Sequence, residues 1–537
     1  MIAKAKNKLA KELTTLRVLG SAGVIHPYPP SVLAGIVRAL RDWGMGPAGG
    51  FTTLAVRARD QVGVIDELGE LTFGQLHERS NALARGLREL GVGEGDSVAV
   101  LCRNHRGFLD ATLAVAKLGA DLLYLNTAFA APQLGEVCER EDPAAIIYDE
   151  EFDQLVADAK IDVPKVHAWQ DTETDLPTLE QLIASHSTED LAPPKRRGRS
   201  VILTSGTTGT PKGAQRSEGS LDAGVALLSR LPLKSGWRTH IAAPLFHTWG
   251  WAHMALAMLL GSTIVLRRKF DPEGALAAVT EHDCDSFVVI PVMLQRILQL
   301  PEETLRSYDF SNVKVVAASG SALPGDLGTS WMDHFGDTLY NVYGSTEVAW
   351  ATIASPQDLR DAPGTAGKPP HATVVKVYDE DGNELPPNRA GRIFVGNSML
   401  FEGYTGGGSK DMIHGLMATG DVGRFDGAGH LFVEGRDDEM IVSGGENVFP
   451  KEVEDCLARH DAVVEAAAIG VDDDDFGKRL RAFVVLSSPD AADEEGLKAH
   501  VKSNLARYKV PREIVFVDEL PRNATGKILK RELAEHE

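Results

Sequence analysis

Ten consecutive residues, Thr204-Ser-Gly-Thr-Thr-Gly-Thr-Pro-Lys-Gly213, join hydroxyls, glycines and a lysine directly after the apolar run Val201-Ile202-Leu203. Gly206, Gly209 and Gly213 let backbone amides turn toward a ligand, because no Cβ blocks positive φ or close approach. Ser205, Thr207 and Thr208 add hydroxyl donors, and Lys212 brings a mobile positive charge. A strand running into such a loop is suited to phosphate oxygens. It is not a Walker A loop, which needs Gly immediately before Lys and Ser or Thr immediately after. Here Pro211 precedes Lys212 and Gly213 follows it.

Three stretches further along carry complementary chemistry. Tyr343-Gly344-Ser345-Thr346-Glu347 follows an expected strand over Thr338 to Val342. Glu347 offers a hard carboxylate oxygen of the type Mg²⁺ takes when it carries nucleotide phosphates. Tyr343 can stack on a purine, and Thr346 can donate to an α-phosphate. In Thr419-Gly420-Asp421 an aspartate after a tight glycine can accept both hydroxyls of a ribose, although Asp and Gly populate turns in any case. Near the C-terminus, Pro521-Arg-Asn-Ala-Thr-Gly-Lys527 places a lysine in a Thr-Gly turn; a lone lysine is in most cases a solvated surface residue.

In this order the stretches resemble the adenylate-forming enzymes: acyl-CoA synthetases, firefly luciferase and peptide-synthetase adenylation domains. The resemblance runs from about Thr52 to Leu533. It implies that Thr204, Ser205, Gly206, Thr207, Thr208, Gly209 and Lys212 hold the phosphates of ATP. It implies that Ser319, Gly320 and Ser321 line the boundary between adenine and acyl group, and that Tyr343, Gly344, Ser345, Thr346 and Glu347 bind adenine and α-phosphate. Asp421 would meet the ribose and Arg436 the ribose or a phosphate, Glu347 and Thr204 would hold Mg²⁺, and Lys527 would be the catalytic lysine. Ser443, Gly444, Gly445 and Glu446 would line the coenzyme A tunnel, and Asp438 would be the hinge of a mobile lid. Three positions depart from the family pattern: Arg392 after Gly391, Leu416 before Thr419, and Lys478 after Gly477.

The expected chemistry is electrostatically demanding. A carboxylate is a poor electrophile until AMP is transferred to it, yet it must approach a triphosphate of like charge. At ~3.5 Å and an effective dielectric of ~20 two unit charges oppose by roughly 5 kcal/mol, more than three decades in rate. Lys527, Mg²⁺ on Glu347 and the loop amides are the expected compensation. At the acyl end, His247 in Pro244-Leu-Phe-His247 would orient or shield the carboxylate; a histidine in an apolar context is otherwise a packed core residue. Trp251 reads as a gate or as core packing, and small residues such as Gly320 and Ala349 leave room for an alkyl chain.

The elements that must position these residues follow from periodicity. Helical spacing over Thr72 to Leu90 and Gly107 to Leu118 alternates with apolar strands at Ser97 to Leu101, Asp121 to Leu125 and Ala144 to Tyr148. Strands recur at Ile241 to Leu245, Ser262 to Leu266, Ser286 to Ile290 and Val313 to Ala317. Such alternation implies parallel sheets covered on both faces, with ligands at the carboxyl ends of strands. The fold expected is α/β: a large N-terminal domain (51–436) of two parallel-sheet subdomains plus a small β-barrel-like subdomain, then a small mobile α+β C-terminal domain (437–537).

Composition bounds the function. The chain has 537 residues and net charge −21, which argues against nucleic-acid partners. Cys102, Cys138, Cys284 and Cys456 lie far apart and read as buried reduced thiols. With no long apolar run, the expectation is a cytoplasmic protein. Residues 1–50 are different. Up to Trp43 they carry a net +5, and Val32, Leu33, Ile36, Val37 and Leu40 share one helical face. Packing on the chain's own core, a partner subunit such as that of a homodimer, and a peripheral membrane contact all fit this segment.

The resulting expectation is an ATP-dependent ligase that activates a medium- to long-chain fatty acid and passes it to coenzyme A. The alternatives are a ligase for aryl or other acids, one that loads a carrier protein, and a degenerate adenylate-binding protein held at membranes.

Overall fold

The computed structural model describes residues 2–537 apart from 205–211, 216–220, 405–408, 438, 440, 444–445, 474–476, 490, 507–508, 524–525 and 536–537. For residues 2–10, 204, 212–215, 404, 442–443, 446–447 and 477 it describes the backbone alone.

Two sheets form the bulk of the chain. The first runs, in hydrogen-bonded order, Thr352–Ala354, Leu339–Tyr343, Val315–Ala318, Ser286–Val289, Arg238–Ile241, Thr263–Val265, Val62–Asp66 and Gly69–Thr72. Its interior pairs are parallel and its two edge pairs antiparallel. The second orders Gly403–Tyr404, Lys212–Gln215, Ser200–Thr204, Asp121–Tyr124, Ser97–Leu101, Ala145–Asp149 and Lys165–Trp169, parallel from Ser200–Thr204 onward. Strands buried on both faces need continuous apolar runs, which is what Val98, Ala99, Val100 and Leu101 supply at zero exposure.

Helices Phe73–Glu89 and Arg106–Leu118 pack on each other and belong to the core that joins the two sheets. The first begins in a capping box: Gln75 N donates to Thr72 Oγ1 at 3.2 Å, and Thr72 N to Gln75 Oε1 at 2.8 Å. The second is capped by His105, whose Nδ1 accepts from Gly107 N. Two of its buried charges are paired, Arg106 with Asp66 and Asp110 with Arg79, and Lys117 is held by His77 O, Ser80 Oγ and Asn81 Oδ1, since a buried charge needs a partner or hydrogen bonds.

A third sheet, antiparallel, orders Val374–Tyr378, Gly391–Gly396, Leu416–Phe425 and Met412–Ile413, with Leu431–Arg436 paired to Leu416–Phe425. This small β-rich unit has its own apolar cluster around Val377, Ile393, Val395 and Leu431. A fourth sheet, built from residues 441–516, carries helices Pro450–Leu457 and Glu494–Asn504 around Val453, Leu457, Ala482 and Leu497. The overall α/β class is as the sequence implied.

Two details correct the sequence reading. The strand expected over Ile241 to Leu245 occupies Arg238–Ile241 instead. Beyond Ile241 the backbone turns to a side chain: Asn104 Nδ2 donates to Ile241 O and Ala243 O, and Leu245 N donates to Asn104 Oδ1. His247 is therefore not at a strand end but stands as the N-cap residue of helix Thr248–Leu260. Residues 30–43 form the expected amphipathic helix, Pro30–Trp43, and it packs on helix Pro47–Arg57. Among the described residues, no helix is long and apolar enough to cross a membrane, and all four cysteines are buried and unbridged.

Candidate active site

The carboxyl ends of four neighbouring parallel strands open on one cavity of about 2620 Å³. Arg238–Ile241 leads to Ala243, Pro244 and His247, and Ser286–Val289 to Ile290, Pro291 and Val292. Val315–Ala318 delivers Ser319, Gly320 and Ser321, and Leu339–Tyr343 delivers Tyr343 to Glu347. All of these line the cavity. Aligned strand ends leave a crevice where ligand groups can converge without burying unpaired backbone.

The Tyr343–Glu347 turn is fixed by local bonds. Ser345 Oγ accepts from the backbone amides of Glu347 and Val348 at 3.3 and 3.4 Å. Gly344 has no alternative at its position: a Cβ there would stand 2.3 Å from Ala349 O. Ala349 itself holds a φ of 60°, in the left-handed region, and lines the cavity. Ser319 Oγ donates to Val342 O at 2.7 Å, tying the two adjacent strand ends together. Gly320 follows with a φ of 99°.

The small antiparallel sheet forms another wall. Asp421 Oδ2 accepts from the Tyr343 hydroxyl at 2.5 Å, and Oδ1 from Arg436 Nη1 at 3.4 Å. Burial pushes the Asp421 carboxyl up, while Tyr343 and the positive charges of Arg436 and Lys527 pull it down. Burial and the neighbouring Asp421 carboxylate together push the Tyr343 phenol well above its ordinary value. Asp421 thus presents a carboxylate already braced by two donors, and Lys527 is close enough to act on its ionisation.

Lys527 reaches the cavity from the last part of the chain. Its turn is closed by Lys527 N to Asn523 Oδ1, Asn523 N to Lys527 O and Gly526 N to Asn523 O, each 2.9 Å. Gly526 holds a φ of 77°, and a Cβ there would lie 2.5 Å from Val292 Cγ1. The lysine turn is therefore seated against Ile290 and Val292, where the strand Ser286–Val289 passes into the helix Pro291–Leu298. Gln295 Nε2 adds a 3.0 Å bond to Val464 O across the same seam.

His247 lines the cavity, and its Nε2 has no hydrogen-bond partner among the described residues. Burial holds its imidazole down to about 3, so the ring is neutral at physiological pH. Trp251 also lines the cavity and donates from Nε1 to the Tyr124 hydroxyl at 3.3 Å.

Several residues expected at the site lie outside the described residues: Ser205, Gly206, Thr207, Thr208, Gly209, Asp438, Gly444 and Gly445. Thr204, Lys212, Ser443 and Glu446 have described backbone only, Thr204 closing the strand Ser200–Thr204 as the motif required. Thr346 and Glu347 line the cavity with the rest of their turn. The donor chemistry of Glu347 fits Mg²⁺, a hard carboxylate oxygen at the wall of this cavity.

Sequence reasoning missed Asn104, which holds the loop leading to His247, because nothing local marks an asparagine that bonds 137 to 141 residues away. It also missed the role of Arg392, noted only as a departure. Its guanidinium pairs with Asp411 at 2.7 Å and with Asp437 at 3.0 Å, beside the expected hinge. Likewise Lys530 bridges Glu439 and Glu454 at 2.8 and 2.9 Å.

The described residues hold one other group with metal-ligand atoms together, Cys102, His105 and Asp149. Its lone pairs are already used. His105 accepts at Nδ1 and bonds Asp149 Oδ1 through Nε2, Asp149 Oδ2 takes the Arg103 amide, and burial keeps Cys102 a thiol. This cluster caps a helix.

Comparison with known proteins agrees with the geometry. A family model described as AMP-binding enzyme matches residues 51–405, and one described as AMP-binding enzyme C-terminal domain matches 452–527. A feruloyl-CoA synthase of Amycolatopsis sp is 33% identical over 475 residues, covering 86% of this chain and 93% of that protein. A 2-succinylbenzoate–CoA ligase of Geobacillus kaustophilus is 33% identical over 484 residues, covering 88% and 94%. Among solved structures, the anthranilate CoA ligase AuaEII in complex with anthranoyl-AMP superimposes with a TM-score of 0.82 at 26% identity, covering 91% of this chain and 96% of that one.

Proposed function

The chain belongs to the AMP-binding enzyme family, and from that premise we propose that it is an AMP-forming acid–thiol ligase for aromatic carboxylic acids. The adenylate-forming CoA ligase class follows from the family matches and the relatives. The acid is the proposed part. The sequence led to a medium- or long-chain fatty acid. The relatives described above carry names that specify feruloyl, succinylbenzoyl and anthraniloyl groups, and these favour an aryl acid.

The observation that carries the mechanism is the convergence of Lys527, Asp421, Tyr343 and Glu347 on one cavity at the strand ends. In the first half-reaction a carboxylate oxygen attacks the α-phosphorus of ATP, an acyl–O–P bond forms, and pyrophosphate leaves. Lys527 holds the two anions together by placing its ammonium between them, where a fixed charge in a crevice acts more strongly than in water. Asp421, braced by Tyr343 and Arg436, accepts the ribose hydroxyls without having to reorganise. Glu347 and Thr204 would hold Mg²⁺, which when bound neutralises phosphate charge.

In the second half-reaction the coenzyme A sulfur attacks the acyl carbon, a thioester forms, and AMP leaves as the acyl–oxygen bond breaks. Lys527 has no part in that step, so the lid (437–537) can turn away about Asp438. Neutral His247 contributes a hydrogen bond to the carboxylate rather than a charge.

A panel of aryl and straight-chain acids scored for pyrophosphate release, with and without coenzyme A, tests the reading. The expected result is release with benzoate- or cinnamate-type acids and net turnover only when the thiol is present. Release confined to straight-chain acids would overturn the aryl assignment, and release indifferent to the thiol would overturn its role.

A further inference from the structure

We propose that the acid end of the cavity continues as an apolar channel for an extended tail, with an outer wall built by the N-terminal segment 24–47, which precedes the AMP-binding match. The inference rests on the ligase reading above and adds to it the shape of the acid: an aromatic head carrying a long apolar substituent.

The inner wall is the helix Thr248–Leu260, most of whose residues line the cavity. Trp251, Ala255, Met258 and Leu259 line the cavity at intervals of four, three and one residues, the spacing of a single helical stripe. From His247 to Leu259 this stripe runs about 18 Å at 1.5 Å per residue. The cavity therefore does not stop at the carboxylate position but follows the helix along its length. Gly50 and Gly224 pack directly on the end of this stripe: a Cβ at Gly224 would meet Leu259 Cδ2 at 2.7 Å, and one at Gly50 would meet Met258 Sδ at 3.1 Å. The two glycines thus let neighbouring elements close on the helix where the stripe ends.

The outer wall is the amphipathic helix Pro30–Trp43. Leu33, Ile36 and Leu40 recur every three or four residues and all face the same cavity. Leu33 and Leu40 remain open to solvent at 46% and 37% exposure, Ile36 is half-buried, and Ile25 and Met45, which also line the cavity, are about half exposed. Apolar surface left wet on one side of a continuous cavity is surface that a bound alkyl or aryl tail would cover, and each methylene so buried is worth about three- to fourfold in affinity. Arg57, the cation on the neighbouring helix, is turned aside to the Tyr28 hydroxyl at 2.8 Å and to Leu259 O at 2.9 Å.

The test is a series of 4-alkoxybenzoic acids, from methoxy to octyloxy, scored as kcat/KM for pyrophosphate release. For the wild-type chain the value should rise at least about tenfold along the series. Leu40→Asp, at a position exposed enough to fold, and Ala255→Trp, which plugs the stripe, should each abolish the rise while leaving 4-methoxybenzoate within about twofold. A flat series in the wild type, or variants that lower every acid alike, would overturn the channel. Should no benzoate release pyrophosphate, the aryl-ligase reading fails by itself. The channel is then judged by tryptophan-fluorescence titration with octyloxy- and methoxybenzoate. Saturable binding of the long acid that is lost in Leu40→Asp supports it, and no difference between the two acids overturns it.

Discussion

The Tyr343 hydroxyl donates to Asp421 Oδ2 at 2.5 Å, across 78 residues of sequence. The bond joins the end of the strand Leu339–Tyr343 to the strand Leu416–Phe425 of the small antiparallel sheet. It holds the expected adenine and ribose contacts in one rigid wall, and Arg436 completes the bracing from the other carboxylate oxygen.

Removing that brace should weaken ATP selectively. A hydrogen bond to a charged acceptor contributes about 1.5–3 kcal/mol, so Tyr343→Phe should raise the KM for ATP roughly tenfold or more while the KM for the acid changes little. Asp421→Asn should do at least as much. Initial rates of pyrophosphate release against ATP concentration measure this; an unchanged ATP KM in both variants would remove Asp421 from the nucleotide site.

Gly526 offers a test of how Lys527 is placed. Its φ is 77°, and only 2.5 Å would separate an added Cβ from Val292 Cγ1, so alanine must move the turn. Gly526→Ala should lower adenylate formation at least about tenfold, since a misplacement of about 1 Å is that costly. Transfer of the acyl group from supplied acyl-adenylate to coenzyme A should persist. Loss of both half-reactions together would place the defect elsewhere.

Asn104 predicts a combined effect on stability and acid binding. Its side chain bonds Ile241 O, Ala243 O and Leu245 N in a buried setting. Asn104→Ala leaves those groups unpaired and should cost about 1–3 kcal/mol, read as a lower urea midpoint. The acid KM should rise as the loop before His247 loosens. A variant with wild-type stability and acid KM would contradict the role.

The buried histidines set the acid limb of stability. His247 and His253 are each held down to about 3 by burial, against an ordinary value near ~6.5 in the unfolded chain. Between those values the unfolded state binds the extra protons, so stability is full above about pH 6.5 and is lost as pH falls toward about 3, by up to about 1.4 kcal/mol per pH unit for each ring. His253→Phe should flatten the slope of stability between pH 6 and pH 4, followed by urea midpoints. The slope of an unchanged variant would show that His253 is not one of the groups titrating.

Much of the frame was legible. The strand Ser97–Leu101 falls where the apolar run placed it, and the helix expected over Thr72 to Leu90 is Phe73–Glu89, bounded by the Thr72–Gln75 capping box. The partners were not legible. Val64 pairs with Ile264, so residues 62–72 join the sheet of the later strands, because strand pairing over such distances leaves no local mark. The strand Val463–Asp473 runs on into the acidic residues Asp472 and Asp473, because Asp472 pairs with Lys478 in the ladder, a partner that no local pattern marks. At the site, the resemblance to adenylate-forming enzymes singled out Tyr343, Glu347, Asp421 and Lys527, which line one cavity. Their mutual arrangement, above all the Tyr343–Asp421 bond, exists only once four sheets have packed.

The central claim is that Lys527 joins an acid to the nucleotide in this cavity and then stands aside. Acid-dependent ATP–pyrophosphate exchange, run beside thioester formation from supplied acyl-adenylate, tests it in wild type and Lys527→Ala. The account predicts that the variant loses exchange by at least about three decades and keeps thioester formation near the wild-type rate. Exchange that survives the substitution, or loss of both activities to the same degree, would contradict it.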